Sequence, residues 1–208
     1  MSIEEPTVSD EQLKAADTRL KLPEEFDGCL AGLCSLRSKQ LCCAMLKATE
    51  RHIARLERTY DDDLKSLPGY DRRKTLCVPG RELREAIGLR ANDARHMKIA
   101  VSQLQHTDLF KHLSISEDRK HVSWRFIDEV EACLGKELDR YVLVDLAHFA
   151  SQRSNRDWEV YLVLRQLRGL VFPTVRLDFC METVWKLDKR KYLGAFRRMA
   201  NLLGCAVL

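Results

Sequence analysis

The sequence predicts a mainly α fold of the α+β class. Three observations predict it: stretches in which apolar residues recur at helical spacing, short stretches that alternate as strands do, and loops marked by proline, glycine and clustered charges. Hydrophobic residues make up 45% of the 208 and charged residues 32%, so the chain has enough apolar material for folded cores. Its length suits two small domains.

The longest predicted helix runs from Ser35 to Tyr60. Its apolar residues recur at mostly helical spacing, and they are Leu36, Leu41, Met45, Leu46, Ile53 and Leu56. The stretch YDDDLKSLPGYDRRK follows, and its Pro68 and Gly69 predict a surface loop. Residues 1–32 are predicted to be an acidic N-terminal arm, partly helical or loose.

A short strand and two helices are predicted after the loop. The strand is Thr75–Val78, and a short helix over Arg81–Ile87 ends at Gly88, where a residue able to take positive φ is favoured. Asn92 or Asp93 can cap a longer helix. Its inward residues are predicted to be Met97, Ala100, Val101 and Leu104. Its outward residues are predicted to be Arg95, Lys98, Ser102 and Gln103.

Two alternating stretches, TDLFKHLSI and HVSWRFI, predict a hairpin joined by the turn SEDRK. Helix, strand, short helix, longer helix and hairpin form the order of a winged-helix domain, whose longer helix can lie in a DNA major groove about 12 Å wide. Arg119, Lys120 and His121 are then the tip of the wing. Val122, Trp124 and Phe126 support it, although alternation alone leaves open whether Trp124 faces inward or outward.

A second unit repeats this order. When the apolar positions of the first unit's two helices are shifted by 98 and 99 residues, apolar residues occupy all eight. Asn155–Leu167 is predicted as a helix, TVRLDF as a strand, and Lys189–Leu203 as the final helix, with no hairpin after it. The prediction is two tandem winged-helix domains, residues 33–135 and 136–208, the second lacking a full wing.

Charge is distributed unevenly along the chain. Residues 1–28 hold eight acidic and three basic side chains, a net charge of −5. Because the whole chain carries +4, the remaining residues carry +9. This surplus favours contact with a polyanion. The densest basic cluster is in the final helix and comprises Lys189, Arg190, Lys191, Arg197 and Arg198. The alternative is an amphipathic helix whose solvent face is basic.

No catalytic or metal motif is present in the sequence. The eight cysteines contain no C-x-x-C and no Cys/His set with ligand spacing, so buried thiols in a reducing compartment are expected. Asp61, Asp62 and Asp63 are better explained as a solvated charge run than as a cation site. We therefore expect a protein that is not an enzyme and has no cofactor or metal. Because no signal peptide and no apolar span are evident, we expect a cytoplasmic location without a membrane partner.

The order of several segments resembles that of plasmid replication initiator (Rep) proteins with two tandem winged-helix domains. The resemblance covers roughly Leu33 to Leu208. It rests on VPGRELREAIGL before a basic helix, on TDLF and VSWRF in the hairpin, on RYVLVDLAHFASQRSNRDWEVYLVLRQLR between the domains, and on the final basic helix. The missing second hairpin departs from the family's pattern.

The resemblance implies sequence-specific binding of double-stranded DNA at repeated origin or operator sites, for replication initiation or transcription regulation. It also implies a balance between monomer and homodimer that the first domain governs, and host replication proteins as partners. The candidate DNA-binding residues are Arg95, Lys98, Gln103, Arg119, Lys120, Lys189, Arg190, Lys191, Arg197 and Arg198. Two alternatives remain open: a winged-helix-derived protein-interaction module that acts as an inhibitor or adaptor, and a metal-dependent nuclease.

Overall fold

A computed structural model describes residues 18–23, 35–59, 75–88, 94–134, 141–167 and 189–205. Several predicted features lie outside these residues: residues 1–17 and 24–32 of the arm, the loop after Tyr60, the helix cap at Asn92 or Asp93, the strand TVRLDF, and the repeat positions Met181, Val184, Trp185 and Leu187. The described elements are β1 (Arg19–Pro23), α1 (Leu36–Thr59), β2 (Leu76–Pro79), α2 (Gly80–Ala86), α3 (Ala94–Leu104), β3 (Phe110–Ile115), β4 (His121–Phe126), α4 (Asp128–Cys133), β5 (Tyr141–Asp145), a 3-10 helix (Leu146–Ser151), α5 (Asn155–Leu167) and α6 (Lys189–Leu203).

Helix α1 forms the centre of the described core. It begins and ends within a residue of the predicted Ser35 and Tyr60. Residues 38–47 are buried on every side of the helix, because α1 packs against α2 and α3 as well as against β1 and the 3-10 helix. Leu41 and Met45 are fully buried, and Ile53 is buried near the other end. A helix enclosed in this way holds the elements around it in place.

Elements β2 to β4 form a winged helix, as the sequence predicts. The three strands make an antiparallel sheet in the order β2-β4-β3, in which β4 pairs with both neighbours. Helices α2 and α3 lie between β2 and the β3–β4 hairpin along the chain. Leu83 of α2 is buried in the same core as the inner face of β4.

Trp124 faces inward, which settles the question that alternation leaves open. It is fully buried together with Val122 and Phe126. Its indole Nε1 donates to the Thr49 hydroxyl at 3.0 Å, and that hydroxyl donates to the Met45 carbonyl at 2.9 Å. Hairpin and α1 are therefore joined by a buried, satisfied polar chain.

Strand β1 pairs antiparallel with β5, so the predicted loose arm is wrong for Arg19–Pro23. The physical reason is burial: Leu20 and Leu22 alternate with exposed residues and both side chains lie in the core. Thr18 adds two bonds to the same edge. Its carbonyl accepts from the Leu146 N–H at 3.0 Å, and its hydroxyl donates to Asp145 Oδ1 at 2.7 Å.

Helices α5 and α6 pack against each other in the second half of the chain. The inner face of α6 consists of the buried residues Ala195, Phe196, Met199, Ala200 and Leu203. The last four are the apolar positions that the shift of 99 residues from Met97, Ala100, Val101 and Leu104 predicts in this helix. Buried Tyr161 of α5 accepts the Asp145 N–H at 2.9 Å, and burial raises its pKa to about 12. In the described residues, no hairpin follows α6.

The predicted fold class is confirmed: the described chain is mainly helical with two small sheets, an α+β arrangement. The division at residues 135 and 136 stays a prediction. Contacts cross it in several places, including the β1–β5 pairing and the approach of Gly88 to Ala150. None of the described helices is long and apolar enough to cross a membrane.

Candidate nucleic-acid interface

The orientation of α3 is fixed by its inner face. Met97, Ala100, Val101 and Leu104 are each at most 2% exposed, which confirms the predicted inward set. Because these residues are held in the core, the opposite face is fixed toward solvent. The exposed residues on it are Arg95, Lys98, Ile99 and Ser102. This is the position that a winged-helix domain gives to a helix that enters a DNA groove.

The turn between β3 and β4 carries Arg119 in a left-handed conformation, with φ of 58°. Its N–H donates to the Ser116 carbonyl at 2.8 Å. The Ser116 hydroxyl donates to Asp118 Oδ1 at 2.6 Å, and the Lys120 N–H donates to the same oxygen at 3.0 Å. These two bonds, the hydroxyl first, lower the pKa of Asp118. The tip is therefore a defined turn that presents Arg119 outward.

An open groove of about 620 Å³ separates α3 from this turn. Its cations are Arg95 and Lys98 from α3 and Arg119 from the turn. The remaining lining comes from Ile99, Ser102 and Gln103 of α3. Helix α3 and the turn thus place four predicted contacts, three of them cations, around one concave surface that can attract phosphate groups.

Gln103 is half-buried at the edge of the groove. Its amide oxygen accepts a hydrogen bond from the Ser35 hydroxyl at 2.6 Å and another from the Ser38 hydroxyl. That oxygen therefore ties α3 to the start of α1. Its predicted contact with DNA stays a prediction and would have to use the amide nitrogen.

Lys120 is exposed at the tip, and its Nζ lies 3.8 Å from Asp118 Oδ2. Both side chains are more than half exposed, so this pair is weak and leaves the lysine available to another anion. Asp118 nevertheless reduces the positive potential of the tip.

Helix α6 is held to the first turns of α5 by two sets of polar contacts. The Tyr192 hydroxyl donates to Glu159 Oε2 at 2.6 Å, and Arg156 lies over the Tyr192 ring at 5.7 Å. Burial, followed by the bond to Glu159, raises the pKa of Tyr192 to about 12. The second contact joins Arg198 to Asp157.

Arg198 is committed to Asp157. Its guanidinium donates to Asp157 Oδ1 at 2.6 Å, and the carboxylate is fully buried. The other oxygen, Oδ2, accepts the N–H groups of Arg153 and Ser154 at 2.8 and 3.0 Å, at the start of α5. Part of the predicted basic cluster therefore stabilises the packing of α5 against α6, rather than presenting a free cation.

Arg197 is exposed on the outer face of α6, beside exposed Gly194 and Asn201. Helical periodicity places residue 190 on this same face, one turn before Gly194. The backbone of Lys189, Arg190 and Lys191 lies in the first turn of α6, and their side chains are outside the described part of the structure. Contact of these three residues with DNA stays a prediction.

Two residues that shape this interface are absent from the predicted set, one exposed and one buried. Ile99 is 45% exposed between the cations of α3, and its outward position could have been read from its place one turn after Arg95. Asp157 had no such signal, because its partner is 41 residues away in sequence. Among the described residues, no group of three or more His, Cys, Asp or Glu side chains could hold a metal ion. Asp61, Asp62 and Asp63 lie outside them.

These elements define the class of protein: a winged-helix protein with a cation-lined groove between its third helix and its wing. No protein-family model and no curated protein matches the sequence. Among solved structures, the chain is similar to a Pi initiator protein in complex with iteron DNA, with a TM-score of 0.61. The match covers 88% of this chain and 86% of that one at 13% identity. It confirms the predicted resemblance at the level of the fold.

Proposed function

We propose that this chain binds double-stranded DNA in a sequence-specific manner, as a replication initiator or regulator of a plasmid, phage or other mobile element. The observation that carries the proposal is the groove in which Arg95, Lys98 and Arg119 surround the outward face of α3. A duplex supplies phosphates on both sides of a major groove and base edges between them. The fold shared with the Pi initiator, which was crystallised with iteron DNA, supports the same conclusion.

The proposed function is binding and not catalysis, and it involves no cofactor. The proposed partner is duplex DNA with repeated origin or operator sites, with host replication proteins and a second copy of the chain as further partners. Such a protein acts in the cytoplasm, where the DNA is. Transcription regulation follows if one of its sites overlaps a promoter.

A protein-interaction module without DNA-binding activity is the second candidate. One observation favours it: Arg198, in the densest basic cluster of the sequence, is paired with the buried carboxylate of Asp157. An inhibitor or adaptor that keeps the winged-helix fold has no need of free cations on α6. The exposed cations of α3 favour DNA binding instead.

Reversal of one charge in the groove tests the proposal. We expect Lys98→Glu to weaken binding to duplex DNA by about tenfold or more, because it replaces a phosphate contact with a repulsion. It should also reduce the slope of log affinity against log salt by about 1. Fluorescence anisotropy of a labelled duplex, measured over a range of salt concentrations, gives both quantities.

Lys21→Glu is the matched control. Lys21 is an exposed lysine on β1, outside the groove, and its Nζ lies 5.0 Å from the centre of the Tyr141 ring. Lys21→Glu changes the net charge by the same amount as Lys98→Glu. A general effect of net charge would therefore weaken DNA binding equally in both variants. The proposal is contradicted if the wild type binds no duplex at low salt. It is also contradicted if the two substitutions weaken duplex binding equally.

A further inference from the structure

Ile99 is the large apolar side chain that α3 leaves in solvent. It is 45% exposed, whereas the other large exposed apolar residue of the described chain, Tyr141, is partly covered by Lys21. The side chain cannot turn inward, because the buried positions Met97 and Ala100 on either side of it fix the rotation of the helix. A single exposed apolar side chain is ordinary on a protein surface, and what distinguishes Ile99 is its position in the groove among Arg95, Lys98 and Arg119.

The surroundings of Ile99 restrict what that contact can be. Arg95 precedes it by one turn, Ser102 follows by one turn, and Arg119 faces it across the groove. An apolar protein surface that covered Ile99 would also have to remove the cations Arg95, Lys98 and Arg119 from water without offering them an anion. A DNA duplex offers phosphates to the cations and an apolar group between them, because the C5 methyl group of thymine projects into the major groove.

We infer that Ile99 contacts the C5 methyl group of a thymine, so that the first winged helix requires thymine at one position of its site. The inference rests on the proposed DNA binding and adds a base-reading residue to it. Arg95, Lys98 and Arg119 then position the duplex by its phosphates. Ile99 distinguishes thymine from bases that lack a methyl group at this place.

Replacement of thymidine by deoxyuridine tests this inference at the level of one methyl group. The bases of the two nucleosides, thymine and uracil, differ only in the C5 methyl group. High-affinity duplexes are first selected from a random library with the wild-type chain. Each thymine is then replaced singly by deoxyuridine, and affinities are measured for the wild type, Ile99→Val and Ile99→Ala. Burial of one methyl group predicts a loss of about fourfold for the wild type at one position.

The double-substitution comparison separates this contact from other effects. Ile99→Ala should bind the thymine duplex about as weakly as the wild type binds the deoxyuridine duplex, and should lose its sensitivity to that replacement. Ile99→Val should keep most of the sensitivity. Lys98→Glu should bind more weakly overall and retain the full effect of the methyl group, because its contact is with phosphate.

The outcomes distinguish the two proposals. If neither the wild type nor the variants bind any duplex at low salt, the proposed function and this inference both fail. If the wild type binds with a steep dependence on salt, while every deoxyuridine replacement affects the wild type and Ile99→Ala equally, the inference alone fails. Equal urea midpoints for the wild type and Ile99→Ala, expected for an exposed residue, exclude misfolding as the cause.

Discussion

Arg197 and Arg198 are adjacent residues of α6 with the same chemistry and different surroundings. Arg197 is exposed on the outer face. Arg198 donates two bonds to Asp157 Oδ1, a carboxylate buried completely at the start of α5. One arginine is thus free to meet an external anion, and its neighbour satisfies an internal one.

Substitution of each arginine by alanine should separate these roles. Arg198→Ala should lower the free energy of unfolding by about 2–3 kcal/mol, because Asp157 keeps its backbone donors but loses its cation. Arg197→Ala should change that free energy by no more than about 0.5 kcal/mol and should weaken duplex binding. Urea unfolding and anisotropy measure the two effects. The assignment is wrong if Arg197→Ala destabilises the fold while Arg198→Ala leaves it unchanged.

At the scale of elements, the end of α2 is packed tightly against the 3-10 helix. Gly88 has φ of 67°, a conformation that other residues rarely adopt. A Cβ at this position would lie 2.5 Å from the Ala150 Cβ and 2.9 Å from its Cα. Glycine is therefore required here for two reasons, its backbone conformation and the space available.

Gly88→Ala should lower the free energy of unfolding by about 2–4 kcal/mol, the sum of a strained backbone and an overpacked contact. Addition of Ala150→Gly to this variant should restore part of the lost free energy. It removes the Ala150 Cβ, which is the nearer of the two atoms, but the backbone strain at residue 88 remains. Thermal unfolding of the wild type, both single variants and the double variant completes the cycle. Additive effects would show that the two residues do not press on each other.

Helix α3 and strands β1 and β5 show which parts of the fold the sequence predicts and which it cannot. The burial of Met97 and Leu104 follows from helical periodicity, which is a local property of the chain. The pairing of β1 with β5 joins Arg19 to Asp145, and no periodicity in the five residues of either strand specifies that partner. The tie of Gln103 to Ser35 is likewise a product of packing. Non-local pairings decide these details, so they become visible only in the folded chain.

At the scale of the whole molecule, the two predicted domains share buried contacts. The Gln40 side chain of α1 is fully buried, and its Nε2 donates to the Phe149 carbonyl at 3.0 Å and to Gln152 Oε1 at 3.2 Å. Strand β1 precedes the first domain in sequence and pairs with a strand of the second. Separation of the halves would expose these polar groups and the leucines of β1.

We therefore expect the chain to unfold in a single cooperative transition, although the sequence predicts two domains. Trp124 and Trp158 are fully buried, one in each predicted domain, and can report on each half. A variant that keeps only Trp124 and another that keeps only Trp158 should each show a fluorescence midpoint in urea equal to the far-UV circular dichroism midpoint of the same variant. Comparison within each variant removes the effect of the substitutions on stability.

Gln40→Ala provides a perturbation at the contact between the halves. If the halves are coupled, this substitution shifts the fluorescence and dichroism midpoints together in both tryptophan variants, since the loss of one buried donor is felt by the whole cooperative unit. Two domains that fold independently would give a different result. Dichroism would then show two steps, each tryptophan would follow only one of them, and Gln40→Ala would move the Trp124 step while the Trp158 step kept its midpoint.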